Sequence, residues 1–317
     1  MSDWDQKLSE WTSAGLVSTE QAVAIRSREA EAAAEPAQVA SESQVSPAIE
    51  AVGYLGGALA VAAVFFILVV GTDLDEGAQV ALAGLLTAVL LGGGAAVRRN
   101  TPPALRLKSV LWAASVASAA ATGALVVGQL VDGSGEAIAL ASSGIAVLTA
   151  AVLWGLHRAA LQNIVFLVAA AGAALSLLSW LSGDLDAFFY GLTVWAIGVV
   201  WVLLSLVGIL TPTRAGLVAG SVGALVGAQI AAFDAYRGWG LALAVITVTL
   251  VLVGGARRND LGLLIVGAMG ALVFSVQVAF ELFGTELAAA VALLVAGTLL
   301  VVGAVAASRR RSREAST

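Results

Sequence analysis

From about residue 50 onward the chain alternates long apolar runs with short polar breaks. Roughly twenty apolar residues at about 1.5 Å each cross a hydrocarbon core of about 30 Å. Ten runs reach that length: 51–71, 77–97, 109–131, 137–156, 160–182, 187–210, 215–233, 238–256, 261–280 and 287–307. The breaks carry charge, Gly or Pro, as in Thr72-Asp73-Leu74-Asp75-Glu76, Asp132-Gly133-Ser134-Gly135-Glu136 and Thr211-Pro212-Thr213-Arg214. The runs do not alternate with the period of a barrel strand. Lipid offers no partner to a free N–H or C=O, so each run is predicted to be a helix.

The N-terminal residues read differently. Trp4, Leu8 and Trp11 make an i, i+4, i+7 stripe on a short helix that Gly15 ends. Ser18 followed by Gln21 is a capping box that starts a second helix, with Val17 and Ala22 placed as a weak staple and Ile25 one turn on. The Ala-, Glu- and Ser-rich stretch that follows, with Pro36 and Pro47, reads as a linker. The expected organisation is a helical hairpin over 1–35, a flexible linker over 36–48, a transmembrane domain over 49–308 and a basic tail over 309–317.

Composition agrees with this pattern: 60% of the residues are hydrophobic and 12% are charged. Soluble domains carry about 45–50% apolar and about 25% charged residues. A water-exposed globular fold is therefore excluded, and the lipid bilayer is the first partner. The chain contains no Cys, which removes disulfides, thiolate catalysis and Cys-ligated metal centres.

Charge sorts by side. With ten spans, 15 of the 16 Lys and Arg residues fall on one face: the N-terminal segment, the loops at Arg98, Arg106, Lys108, Arg158, Arg214 and Arg257, and the tail from Arg309. Only Arg237 lies on the other face, which holds Asp73, Asp75, Glu76, Asp132, Glu136, Asp184, Asp186, Asp234, Glu281 and Glu286. The positive-inside rule then puts both termini in the cytoplasm. The first apolar run starts too far in, behind an acidic segment, to be a cleavable signal, so the plasma (inner) membrane of a bacterium is the expected location. The formal charge of −5 belongs to the outer loops and the N-terminal segment, laid over a basic inner rim.

An internal repeat runs through the spans. Gly123-Ala124-Leu125-Val126 is followed by Gln129, Gly223-Ala224-Leu225-Val226 by Gln229, and Gly270-Ala271-Leu272-Val273 by Gln277; Gly172-Ala173-Ala174-Leu175 is a degenerate copy. Five two-helix units in one orientation fit the spacing. The even spans rhyme too, Gly92-Gly93-Gly94 against Gly254-Gly255.

No charged residue sits near the middle of a span, where ionisable groups mark ion and proton paths. A shallow polar layer remains at the outer ends of odd spans: Gln129, Asp132, Gln229, Asp234, Gln277 and Glu281, with Ser115, Ser118 and Thr122 on the same face as Gln129. Two readings are open. The amides and rim carboxylates coordinate a polar or cationic solute in an outward vestibule, or the amides join helices and the acids sit among headgroups. In the seventh span, Gly216, Gly220, Gly223 and Gly227 form a small-residue seam; Gly267, Gly270 and Phe274 turn one face of the ninth span into the bundle.

No catalytic, cofactor or metal motif is present. Ser143-Gly144 faintly resembles an intramembrane serine nucleophile, but the base candidate His157 lies about 21 Å further along the same helix. His157 beside Arg158 reads as interfacial. Tyr54, Trp112, Trp154, Trp180 and Trp239 read as an aromatic belt, and Trp195 and Trp201 as packing. Nucleic acid is excluded as a partner of the N-terminal segment, whose 3 basic and 8 acidic residues have the wrong sign for phosphate.

Trp11, Gly15-Leu16-Val17-Ser18, Glu20-Gln21-Ala22 and Ile25, followed after a linker by Leu55-Gly56-Gly57-Ala58-Leu59, resemble the bacterial membrane-protein family catalogued as domain of unknown function 2157, over about residues 7–97. Members often carry an Asn-Trp pair after the first span, where this chain has Gly71-Thr72-Asp73-Leu74. The resemblance implies location and organisation and adds no catalytic residue. The expectation is a non-enzymatic integral membrane protein whose stripe of Trp4, Leu8 and Trp11 docks a cytoplasmic protein. The alternative is a carrier or exporter of a small polar or cationic solute.

Overall fold

The structure is a computed structural model that describes residues 3–28, 75–97, 101–183, 185–233 and 236–283, with single helical positions between 286 and 298. The first predicted span, the linker, the basic tail, Tyr54, Asp234 and nearly all of the tenth predicted span lie outside the described residues. The chain divides into two compact units, Met1–Ala58 and Leu59–Thr317.

In the first unit, α1 (Asp3–Ser13) ends at Gly15, whose φ of 71° a side chain rarely adopts. Leu16 N–H reaches Trp11 C=O at 3.0 Å and Gly15 N–H reaches Thr12 C=O at 3.2 Å, a Schellman ending that satisfies two terminal carbonyls. Helix α2 (19–28) opens with the reciprocal capping box. Ser18 N–H donates to Gln21 Oε1 at 2.9 Å, and Gln21 N–H donates to Ser18 Oγ at 3.2 Å. Leu8 and Ala22 are buried, while Trp11 is 39% exposed.

Every regular element among the described residues of the second unit is a helix. Its helices are α3 (Glu76–Ala96), α4 (Pro102–Leu125, continued by a π-helical turn, Val126–Leu130), α5 (Gly135–Leu156), α6 (Ala160–Ser182), α7 (Ala187–Leu206), α8 (Thr213–Ala231), α9 (Arg237–Arg258) and α10 (Leu261–Phe283). All eight are long and apolar enough to cross a membrane. They match predicted spans two to nine. Polar breaks end them as anticipated: Asp75 Oδ1 caps α3 through Ala78 N–H at 2.6 Å, Ser134 Oγ caps α5, and Asn259, in the left-handed region, turns α9 into α10.

The outer surface is apolar. Leu148, Val152 and Leu156 make one exposed stripe on α5, and Leu261, Ile265, Met269 and Leu272 another on α10. Such stripes are stable only against lipid or another protein. Trp180 and Trp239 lie at helix ends and are exposed, as belt residues are. Trp112 departs from that expectation. It is 5% exposed because Gly94, facing it from α3, leaves room for the indole, whose Nε1 donates to Leu91 C=O at 3.3 Å.

Helices adjacent in sequence pack antiparallel, and the closely packed pairs are α3–α4, α4–α5, α5–α6, α7–α8 and α9–α10. In the sequence, basic residues flank the connection within each of α3–α4, α5–α6, α7–α8 and α9–α10, at Arg98, Arg99, Arg158, Arg214, Arg257 and Arg258. The most intimate is α7–α8. A Cβ at Gly191 would lie 2.6 Å from Gly227 C=O, one at Gly198 2.7 Å from Gly220 C=O, and one at Gly227 2.6 Å from Trp195 Cα. Backbone meets backbone along this seam. Gly191, Gly198 and Ser205 recur every seven residues on α7 opposite Gly227, Gly220 and Gly216, so a small residue faces a small residue at every second turn. Helix α8 is consequently the hub: 56% of its membrane window is buried, against 11–39% in the other seven. The repeat glycines make unlike contacts. Gly123 meets Ile145 of α5, Gly270 meets Leu225 and Val248, and Gly172 faces open space.

This contrast is testable. Gly198→Val is expected to cost at least about 3 kcal/mol, because no rotamer moves a backbone. Gly172→Ala is expected to leave the melting temperature unchanged or slightly raised. Thermal unfolding in detergent checks both.

Candidate functional site: a hydrogen-bonded polar seam

Polar side chains line the α3–α4 interface from one rim to the other. At the acidic rim, Gln129 sits in the π-helical turn and its Nε2 donates to Gln79 Oε1 at 2.8 Å. About 12 Å deeper along α3, Thr87 Oγ1 meets Ser118 Oγ at 2.8 Å and Thr122 Oγ1 at 3.3 Å. Ser118 also donates to Ala83 C=O across the interface, Thr122 to Ser118 C=O, and Ser115, fully buried, to Trp112 C=O. A hydroxyl carries one proton, and here each is spent on a carbonyl or a neighbouring oxygen.

At the basic rim the seam spreads into α5 and α6. Ser109 Oγ donates to Leu105 C=O at 2.9 Å and lies 3.1 Å from His157 Nε2, so the hydrogen between them belongs to His157. The imidazole meets Trp112 edge-on at 5.9 Å, and the Lys108 ammonium lies over that indole at 4.4 Å. Burial lowers the His157 pKa from 6.5, the Lys108 charge lowers it further, and a hydrogen bond to the Leu105 backbone opposes both. His157 is thus more than an interfacial residue: it ties the α5–α6 loop to α4.

Gln162 and Asn163 open α6 and are both fully buried. Gln162 Nε2 donates to Ser109 C=O at 2.9 Å, and Asn163 Oδ1 accepts from Trp201 Nε1 at 2.7 Å. Among the described residues, Gln162 Oε1 and Asn163 Nδ2 have no partner, and neither does Gln129 Oε1. Nearby, Trp154 Nε1 donates to Thr211 C=O at 3.1 Å, and Phe166 stacks edge-on against Trp201 at 4.9 Å.

Of the expected outer layer, the five described residues, Gln129, Asp132, Gln229, Gln277 and Glu281, do not gather into one site. Gln277 Nε2 donates to Gln229 Oε1 at 3.1 Å between α10 and α8, and Glu281 pairs with Arg237 at 3.2 Å. Gln129 and Asp132 belong elsewhere, since among the described residues α3 and α4 touch neither α8 nor α10. Asp132 is exposed in the α4–α5 loop with φ 51°. The Trp4 side chain lies outside the described residues. Ser143 turns back on its own helix, donating to Ala139 C=O, while His157 bonds to Ser109. Among the described residues no cluster of His, Asp and Glu has the makings of a metal site.

Sequence reasoning passed over Gln79, Gln162, Asn163 and the Ser109–His157 contact. The available signal was the Gln162-Asn163 pair itself, two amides at the mouth of a span that also need partners. Its partner Trp201 lies 38 positions away, a distance no helical period reveals.

No protein-family model matches the sequence, and no curated protein matches it. Among solved structures, a chain of the MycP5-free ESX-5 inner membrane complex, State II, shares the fold, with a TM-score of 0.59 and 16% identity over 87% of this chain and 75% of that one. This chain is therefore an integral, multi-pass helical membrane protein, similar in fold to a component of an inner-membrane complex.

Because folding lowers the His157 pKa, chiefly through burial, the unfolded chain binds its proton first as pH falls. Stability contributed by this residue is full above pH 6.5 and declines as pH drops below it. The melting temperature is expected to fall between pH 7 and pH 5 (about one unit either side of an ordinary His), and less so in His157→Asn. A double-mutant cycle of Asn163→Leu and Trp201→Phe is expected to give a coupling of about 0.6–2 kcal/mol.

Proposed function

We propose that the chain is a non-enzymatic subunit of a membrane assembly. In this reading it has ten spans arranged as two-helix units, both termini in the cytoplasm of a bacterium, and a hairpin at residues 1–35 that docks a cytoplasmic protein through Trp4, Leu8 and Trp11. The observation that carries it is the closure of the bundle. The seam hydroxyls spend their protons inside the seam, and α7 meets α8 backbone to backbone. Such contacts give a fixed body rather than a passage. The neighbour of shared fold belongs to an inner-membrane complex, which favours a role as a subunit.

A second reading, a carrier or exporter of a small polar or cationic solute, is favoured by Gln129. It lies in a π-helical turn, a geometry frequent at functional sites, and its Oε1 is buried without a partner.

Deleting residues 1–40 separates the two. A docking subunit loses its partner in affinity purification while its bundle melts unchanged, and a carrier keeps its solute flux. Replacing Gln129 and Gln277 by Leu is expected to lower stability by about 0.6–2 kcal/mol per pair and to leave assembly intact. Loss of flux in proteoliposomes from the same variant establishes the carrier instead. For the topology, reporter fusions at Asp132 and Arg257 are expected on opposite sides of the membrane.

A further inference from the structure

Helices α7 and α9 both lean on α8 but scarcely touch each other. Between them, above Leu217, Ser221 and Ala224 of α8, lies a cleft of about 430 Å³. That is within the range of about 300–1,000 Å³ typical of ligand pockets. Its lining runs from Trp195 to Leu206 on α7 and from Thr247 to Arg258 on α9, about 16 Å of helix on each side. Trp195 Nε1 donates to Thr247 Oγ1 at 2.9 Å and closes the inner end. The other end opens at the basic rim, at Arg258.

Three features select the occupant. The length equals one leaflet of a core about 30 Å thick, so the cleft stops where a transmembrane helix of a partner would have to continue. The walls are apolar, and Leu203, Leu206 and Leu250 on its edges are exposed to the surroundings of the bundle. Among the described residues, no carboxylate compensates the charge at the mouth. Arg214 is held by Asp260 at 3.2 Å, while among the described residues Arg258 has no carboxylate partner.

We propose that this cleft holds one acyl chain of an anionic phospholipid from the leaflet at the basic rim, with the lipid phosphate on Arg258. Lipid tails are as apolar as the walls, so filling the cleft confers no preference among lipids. The preference comes from the headgroup charge, which one Arg near the surface favours about fivefold. Gly254 admits the chain: it lines the cleft, and a Cβ there meets nothing within 4 Å. The proposal is independent of the docking role of the N-terminal hairpin.

The test uses the full-length protein in detergent, with dioleoyl phosphatidylglycerol or dioleoyl phosphatidylcholine added and retained lipid counted by native mass spectrometry. Phosphatidylglycerol is expected to be retained in preference. Arg258→Gln is expected to reduce that retention about fivefold without altering phosphatidylcholine, and Arg257→Gln, outside the lining, to change neither. Gly254→Leu fills the cleft and is expected to remove the retained lipid of both kinds; Leu250→Trp does the same one turn earlier on α9 should Gly254→Leu melt early. Unchanged retention in both cleft-filling variants overturns the proposal, as does equal retention of the two lipids by the wild type. A dimer that Gly254→Leu converts to monomer also overturns it, by assigning the cleft to a second copy.

Discussion

The bundle depends on one constraint, the approach of α7 to α8 at backbone distance. In lipid, helices gain nothing by hiding apolar surface from one another, so association rests on contact area and on carbonyl and amide dipoles brought close. Glycine at the facing positions permits that approach. It puts Gly198 against Gly220 and Trp195 against Gly227, and it sets the depth at which α6, α9 and α10 meet α8 from its other sides. The lateral cleft follows from the same arrangement. Two helices that share a central partner and scarcely touch each other leave a gap between them, bridged here at one end by Trp195 and Thr247.

The polar groups obey a complementary rule. A chain without charge in its membrane centre still buries hydroxyls, amides and indoles, and each must find a partner within the bundle. The structure meets this requirement pairwise: Gln79 with Gln129, Gln229 with Gln277, Trp195 with Thr247, Trp201 with Asn163. These bonds give register to helices whose apolar surfaces alone would slide. The exceptions among the described residues, Gln129 Oε1, Gln162 Oε1, Asn163 Nδ2 and Thr211 Oγ1, lie near the two rims, where water is closest.

Spans two to nine and their ends were legible because an apolar run of membrane length, broken by charge, is a one-dimensional signal. Gly15 and the Ser18–Gln21 box were legible for the same reason: caps are local, and each named bond is there. The small seam of α8 was visible in Gly216, Gly220, Gly223 and Gly227, but its partner was not, although Gly191 and Gly198 keep the same seven-residue interval. Pairing is a two-dimensional property. Gln229 illustrates it well: judged by its own helix it lies off the glycine seam, and it nonetheless finds Gln277, because α10 approaches α8 from a different side than α7 does. Trp112 was misjudged likewise, since a tryptophan near a span end is read as a belt residue unless the glycine opposite is known.

The glycine lining of α8 also bears on how the protein is made. Of the eight described membrane helices, α8 is the least apolar and the most enclosed. A helix leaving the translocation channel enters lipid according to its own side chains, and Leu, Ile, Phe and Val are what favour entry. With glycine at 216, 220, 223 and 227, α8 offers bare backbone where its neighbours offer hydrocarbon. Its proper solvent is α7, synthesised immediately before it and rich in aromatic and branched side chains. The short turn between them keeps α8 within reach of α7, the helix against which its glycines pack.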